Sequence, residues 1–67
     1  MQQIMRISLK AARINKGLRQ TDVAVALGVD RKTIASWENG RSMPNASKIP
    51  TICEVLGVAY DNINWKV

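Results

Sequence analysis

Residues 20–40 of the chain read QTDVAVALGVDRKTIASWENG and contain two short apolar patterns with helical spacing. The first pattern places three apolar residues on one face: Val23, Ala24 and Leu27. Gly28 follows, at a position where a chain leaving a helix often needs a positive φ. In the second pattern Ile34 and Trp37 recur three residues apart. Asp30 precedes this pattern and is the expected side-chain cap of its helix. Two helices joined by so short a turn are typical of a helix-turn-helix.

The second helix of this motif would turn its polar residues away from the first. At about 100° per residue, Ile34, Trp37 and Glu38 share the inward side. The outward side takes Lys32, Ala35, Ser36 and Asn39, with Arg31 and Thr33 flanking the first turn. Cations and hydroxyls can hydrogen-bond base edges. The helix dipole disfavours cations in the first turn of a helix, so helix stability does not explain why Arg31 and Lys32 stand there. Any one of these residues is equally explained as solvated, but together they favour a helix that reads the major groove of DNA.

The start of the first helix of the motif is unusual. Arg19 occupies a position where a hydrogen-bond acceptor normally caps the helix, and an arginine cannot accept from main-chain amides. Two explanations are open. Either water and Asp22 satisfy these groups, or the positive helix end, with Arg19 and Gln20, is left for a DNA phosphate.

Composition agrees with a polyanionic partner. The 67 residues are enough for one domain, expected to span residues 1–67 with the helix-turn-helix at about 20–40. Ten Lys and Arg against five Asp and Glu give a net charge of +5 and a pI near 10.0. The surplus is uneven, since residues 1–48 carry nine basic and three acidic side chains and residues 49–67 carry one and two. The first part is therefore the expected docking surface.

Several functional classes are disfavoured by what the sequence lacks. It has no apolar run near 18 residues and no signal-peptide layout, so we expect a cytoplasmic protein that does not bind membranes. The single cysteine, Cys53, fits a reducing compartment and is expected to be buried. Without histidine, paired acids or a phosphate-binding glycine loop, neither an enzyme, a metal site nor a cofactor is expected.

Helical patterns also flank the motif. Before it, Ser8 is expected to cap a helix that runs to about Lys16. After it, a helix carries Ile49, Ile52, Cys53, Val55 and Leu56. If Ser47 caps that helix, Pro50 lies in the first turn, where its missing amide has no intrahelical partner. Residues 60–63 predict a single further helical turn, so the helical patterns indicate an all-α chain.

Both ends of the chain alternate with a period of two. Residues 62–67 alternate strictly and residues 3–7 do so with one slip, which predicts short extended segments. These could pair with each other or with a second copy of the chain. Trp65 has two interpretations: it covers a thin core, or it joins Ile63 and Val67 in an apolar edge for self-association.

From Ser8 to about Ile63 the chain resembles the phage-repressor and Cro-like helix-turn-helix proteins, also called XRE-type regulators. The resemblance rests on LKAARINKGLRQ (9–20), ALGV (26–29), TIASWENGR (33–41) and the spacing from Pro44 to the second LGV (56–58). It implies a compact five-helix domain with the helix-turn-helix in helices two and three. It also implies a transcriptional regulator, usually a repressor, that binds double-stranded DNA as a homodimer on a twofold-symmetric site.

The resemblance also assigns residues. Base contacts would be made by Arg31, Lys32, Thr33 and Ser36. Phosphate contacts would be made by Arg19, Gln20, Asn39, Arg41 and Ser42. A largely buried structural ion pair would join Arg13 to Glu38. The chain departs from the family pattern at Arg19 and at Ala59, which replace the usual polar caps, and without a separate effector domain no small-molecule ligand is inferred.

A function from another class stays open, because a fold does not fix a function. The same fold can serve as a protein-interaction module, such as an antitoxin or an adaptor that contacts a polymerase. The apolar residues near the end of the chain keep this alternative open.

Overall fold

The computed structural model describes residues 6–65. Within them the chain forms four α-helices: α1 (Leu9–Asn15), α2 (Gln20–Leu27), α3 (Arg31–Glu38) and α4 (Ile49–Leu56). Two 3-10 turns span Ala46–Lys48 and Tyr60–Asn62, and two short strands are β1 (Ile7–Ser8) and β2 (Ile63–Asn64). The fold is therefore mostly helical. No helix in this part of the chain is long and apolar enough to cross a bilayer.

The expectation of five helices was wrong, since the described residues form four α-helices and a short strand pair. The single helical turn predicted over residues 60–63 is present as the 3-10 turn Tyr60–Asn62, after which Ile63 is extended, with φ −106° and ψ 133°. Ala59 precedes this turn and supplies no side-chain hydrogen bond to its free amides. Since Ile63 enters a strand, the chain leaves the turn before a second one can form.

The strand pair is formed within one chain. β1 and β2 run parallel, with Ile7 opposite Ile63 and Ser8 opposite Asn64. Of the two pairings open to the sequence, the described residues thus show the intramolecular one. The remaining alternating residues, 3–5 and 66–67, lie outside the described residues.

The core lies where the four helices and β2 meet. Its buried apolar members are Leu9, Ala12, Val23, Ala24, Leu27, Ile34, Trp37, Ile52, Leu56 and Ile63. Ile34 and Ile52 are the largest fully buried side chains, each 1% exposed. Trp65 is half-buried and packs against this core, so at least part of its apolar surface covers it. Cys53 is only partly buried, and desolvation raises the pKa of its thiol.

The predicted helix caps have mixed outcomes. Ser8 caps α1 as expected, since its Oγ accepts a hydrogen bond from the Ala11 amide at 3.0 Å. The side-chain caps expected from Asp30 and Ser47 are both absent. Asp30 begins α3 through its carbonyl oxygen, which accepts from the Thr33 amide at 3.0 Å.

Ser47 cannot cap α4 because it lies inside a 3-10 turn. The turn Ala46–Lys48 leads directly into α4, and the residue before the helix, Lys48, already has helical φ and ψ. Pro50 nevertheless lies in the first turn of α4, as expected. Its missing amide therefore removes no helical hydrogen bond.

Candidate nucleic-acid interface

The turn between α2 and α3 fixes how α3 is presented. Gly28 ends α2 in the left-handed region with φ 69°, and the Val29 amide donates to the Ala24 carbonyl at 3.0 Å. Val29 then packs against the core, as do Ile34 and Trp37 of α3. With this face buried, the opposite face of α3 remains at the surface.

A shallow groove runs along that outer face. Its lining residues are Lys32, Ala35, Ser36, Asn39 and Arg41. Lys32, Asn39 and Arg41 are exposed, and within residues 6–65 the side chains of Lys32 and Arg41 have no hydrogen-bond or ion-pair partner. The structure thus brings together four of the predicted contact residues and leaves two cations available to an external anion.

The end of the groove is fixed by two serines. The hydroxyl oxygens of Ser36 and Ser42 lie 2.8 Å apart, and either can be the donor. The Arg41 amide donates to the Ser36 carbonyl at 2.9 Å. These two bonds hold the segment after α3 against the helix, so that Arg41 is kept beside the groove.

The start of α2 shows how Arg19 is accommodated. The Asp22 Oδ2 accepts from the Arg19 amide at 2.7 Å, and the Arg19 guanidinium pairs with the same carboxylate at 3.1 Å. These hydrogen bonds hold the pKa of the Asp22 carboxyl below its usual value and raise the pKa of Arg19. Of the two explanations for Arg19, the structure therefore shows the Asp22 contact, although Arg19 itself stays exposed.

A buried ion pair joins α1 to the end of α3. Arg13 Nε donates to Glu38 Oε2 at 2.7 Å and Arg13 Nη2 donates to Glu38 Oε1 at 3.3 Å. Arg13 Nη1 also donates to the Leu18 carbonyl at 2.8 Å. The two side chains are only 11% and 2% exposed, and each has its hydrogen-bonding groups satisfied. The pair therefore ties three segments of the fold together.

This ion pair extends to the surface through α2. Gln20 Nε2 donates to Glu38 Oε1 at 3.0 Å, and Arg31 Nη1 donates to Gln20 Oε1 at 3.0 Å. Thr33, half-buried in the first turn of α3, lies outside this chain of contacts. Sequence reasoning missed the contact from Gln20 to Arg31, because residues so far apart meet only once α2 and α3 have crossed.

The comparisons with known proteins bear on the same region. A sequence model described as helix-turn-helix matches residues 9–63. The chain is 46% identical over 39 residues to the 26 kDa repressor protein of Escherichia phage HK022, a stretch that covers 58% of this chain and 17% of that repressor. It is 30% identical over 54 residues to multiprotein-bridging factor 1c of Arabidopsis thaliana, covering 81% of this chain and 36% of that factor.

The chain thus spans only about a sixth and about a third of the lengths of these two curated relatives. The family match, by contrast, covers most of this chain and includes all four helices and the turn between α2 and α3. The chain belongs to the XRE-type helix-turn-helix family of DNA-binding regulators, the family of the phage repressors.

Proposed function

We propose that this protein is a sequence-specific transcriptional regulator, most simply a repressor, that places α3 in the major groove of double-stranded DNA. The observation that carries the proposal is the outer groove of α3. There Lys32 and Arg41 are exposed cations without a partner in residues 6–65, beside hydroxyl and amide groups that can hydrogen-bond DNA. The similarity to a protein named as a repressor supports the same role.

The proposed contacts fall into two groups. Arg31, Lys32, Thr33 and Ser36 would contact base edges, since they stand in the first two turns of α3. Arg19, Gln20, Asn39, Arg41 and Ser42 would contact phosphates, since they stand at the start of α2 and just beyond α3. The proposed binding uses no cofactor, metal or small-molecule ligand. The proposal also places the protein in the cytoplasm.

A homodimer on a twofold-symmetric site is part of the proposal. One copy presents a single reading helix with a short polar face, which covers only a half-site. Two copies related by a twofold axis would double the base contacts and the phosphate contacts together. An inverted repeat in the DNA would reflect that symmetry.

The experiment that tests this proposal is selection of bound sequences from a pool of random duplexes. We expect an enriched inverted repeat with the wild-type chain and no enrichment with the Lys32→Ala, Ser36→Ala double variant. Lys10→Ala is the matched control, because Lys10 is an exposed cation on α1, outside the groove. A wild-type selection that enriches nothing would contradict the proposal.

A second candidate function is a protein-interaction module, and it rests on a different surface. Tyr60 and Met43 are 54% and 58% exposed, and the Tyr60 ring stacks on Trp65 with centroids 5.6 Å apart. These three residues line a groove together with Arg6, Asp61, Ile63 and Asn64. The similarity to a protein named as a multiprotein-bridging factor favours this candidate. A selection that enriches no duplex would favour the protein-interaction module over the DNA-binding regulator.

A further inference from the structure

We infer that Asn39 is a site of spontaneous deamidation, which replaces its side-chain amide by a carboxylate and lowers the chain's affinity for DNA. The inference rests on the proposed function and deepens it, because it names a modification that inactivates the groove of α3 while no DNA is bound. The observation that carries it is the pair Asn39 and Gly40, which is exposed at the end of α3, with Asn39 lining that groove.

The reaction takes place within the chain and consumes one water molecule. The main-chain nitrogen of Gly40 bonds to the side-chain amide carbon of Asn39, and the bond from that carbon to the amide nitrogen breaks. The Gly40 proton leaves with this nitrogen as ammonia, and a five-membered succinimide ring remains. Water then opens the ring at either carbonyl and gives aspartate or isoaspartate. The reaction needs no oxidant, reductant or enzyme.

Asn39 differs from the other asparagines of the chain in the residue that follows it. A side chain on the following residue obstructs the attack of the main-chain nitrogen, and glycine has none. All five asparagines are exposed, so exposure does not select among them. The four others, Asn15, Asn45, Asn62 and Asn64, precede Lys16, Ala46, Ile63 and Trp65.

The side chain of Asn39 is available, but the end of α3 has to open before the ring can close. Within residues 6–65 the Asn39 side-chain amide has no hydrogen-bond partner. The ψ angle of Asn39 is 0°, and ring closure requires rotation about it. This rotation breaks the bonds from the Gly40 amide to the Trp37 carbonyl, at 3.3 Å, and from the Arg41 amide to the Ser36 carbonyl, at 2.9 Å. Helix ends open more readily than helix interiors.

Bound DNA should keep this end of α3 closed. Asn39, Arg41 and Ser42 are proposed phosphate contacts, so the opening that precedes ring closure also releases DNA. A ligand that binds only the closed form suppresses the open form in proportion to its saturation. The chain is therefore expected to deamidate mainly while it is free.

Either product is unfavourable for DNA binding. Lys32 and Arg41 line the same groove, and a carboxylate at position 39 competes with DNA for these cations and repels its phosphates. Isoaspartate has a second effect, because it adds one carbon to the main chain directly before Gly40. The Arg41 amide then loses its register with the Ser36 carbonyl, and Arg41 is displaced from the groove.

The test incubates the full chain at mildly alkaline pH, with and without the duplex selected from the random pool. Peptide mass spectrometry follows each asparagine, and fluorescence anisotropy follows the affinity for the duplex. We expect Asn39 to become an acid before the four other asparagines do. With free duplex at about ten times its Kd, this reaction should be about tenfold slower. The chain incubated without DNA should lose affinity in step with its modified fraction.

Two variants isolate the cause of the lost affinity. Asn39→Gln keeps an amide but would have to close a six-membered ring, which is much slower, so its affinity should be equal before and after incubation. It retains Cys53 and the three methionines and therefore also controls for oxidation. Asn39→Asp introduces the carboxylate directly and should bind the selected duplex about tenfold more weakly than wild type.

Three outcomes would overturn this inference and leave the proposed function standing. They are deamidation first at another asparagine, a rate at Asn39 that bound duplex does not change, and full affinity in a chain modified at Asn39. A wild-type chain that binds no duplex before incubation would instead overturn the proposed function, and this inference with it. The masses are read without DNA, so the two failures are distinguishable.

Discussion

Arg13 Nε lies 2.7 Å from Glu38 Oε2, so a bond between residues 25 positions apart fastens α1 to the end of α3. The pair is buried, which means that its net contribution to stability is small although the loss of one partner is severe. Removing Glu38 leaves the Arg13 charge buried without compensation. Since Glu38 also accepts from Gln20, the ion pair links the packing of the helices to the candidate interface.

We therefore expect Glu38→Ala to lower the free energy of unfolding by about 3–5 kcal/mol, close to the whole stability of so small a domain. The paired variant Arg13→Met, Glu38→Leu should recover most of the loss, because no unpaired charge remains. Arg19→Ala, which removes an exposed ion pair, is the control and should change stability little. Urea unfolding measures all three, and a Glu38→Ala chain as stable as Arg19→Ala would contradict the expectation.

The second prediction concerns acid. The Arg19 guanidinium and amide hold the pKa of the Asp22 carboxyl below its usual 3.8. A carboxyl whose pKa is lower in the folded chain stabilises the fold above its unfolded pKa, and the contribution is lost as pH falls through the folded pKa. The stability difference between wild type and Asp22→Asn should thus be constant above about pH 5 and shrink below about pH 4.

Urea midpoints of both chains across the acid range check this prediction. The ¹³C shift of the Asp22 carboxyl gives its pKa directly and should titrate below the usual value. A stability difference that persists undiminished into strong acid would show that Asp22 acts through its shape or its neutral hydrogen bonds and not through its charge.

The third prediction concerns the turn between α2 and α3. Gly28 has φ 69°, and a Cβ placed there meets no atom within 4 Å. Gly28→Ala should therefore destabilise the fold by about 1–2 kcal/mol through backbone strain alone. Gly28→Asn should lose less, because asparagine tolerates the left-handed region. Thermal unfolding of the two variants measures the difference, and an alanine variant as stable as wild type would rule out strain at this position.

The fourth prediction separates reading of bases from binding of the DNA backbone. Lys32→Ala should weaken binding to the selected duplex by about 1–3 kcal/mol and binding to random duplex by less. Arg41→Ala should weaken binding to both duplexes alike, as expected of a phosphate contact. Fluorescence anisotropy at one salt concentration gives both ratios. Equal losses for Lys32→Ala on every duplex would remove its role as a base reader.

The sequence predicted the parts of the fold that depend on nearby residues. The spacing of Val23, Leu27 and Ile34 and the glycine after α2 were enough to place α2, α3 and their turn. The fifth helix implied by the family resemblance is reduced to one 3-10 turn, because Ile63 is extended and pairs with Ile7, at the other end of the described chain. A period of two indicated extended structure over residues 62–67, but the helical turn predicted over residues 60–63 overlapped that segment at residues 62 and 63.

The candidate site was predictable to a similar extent. An amphipathic pattern indicated which face of α3 is exposed, and the groove on that face contains Lys32 and Ser36. The contact between Gln20 and Arg31 could not be predicted, because it depends on the crossing of α2 and α3. The orientation of the Gln20 amide further depends on where Glu38 lies. Such contacts leave no periodic signal in the sequence.

The measurement that tests the central claim most directly is a titration of the ¹⁵N-labelled chain with the selected duplex, followed by NMR. If the outer face of α3 binds DNA, the amide signals of residues 31–36 and of Arg41 should shift most, and those of residues 60–65 should stay near their free positions. Shifts confined to residues 60–65, with the α3 signals unmoved at saturating duplex, would contradict the claim.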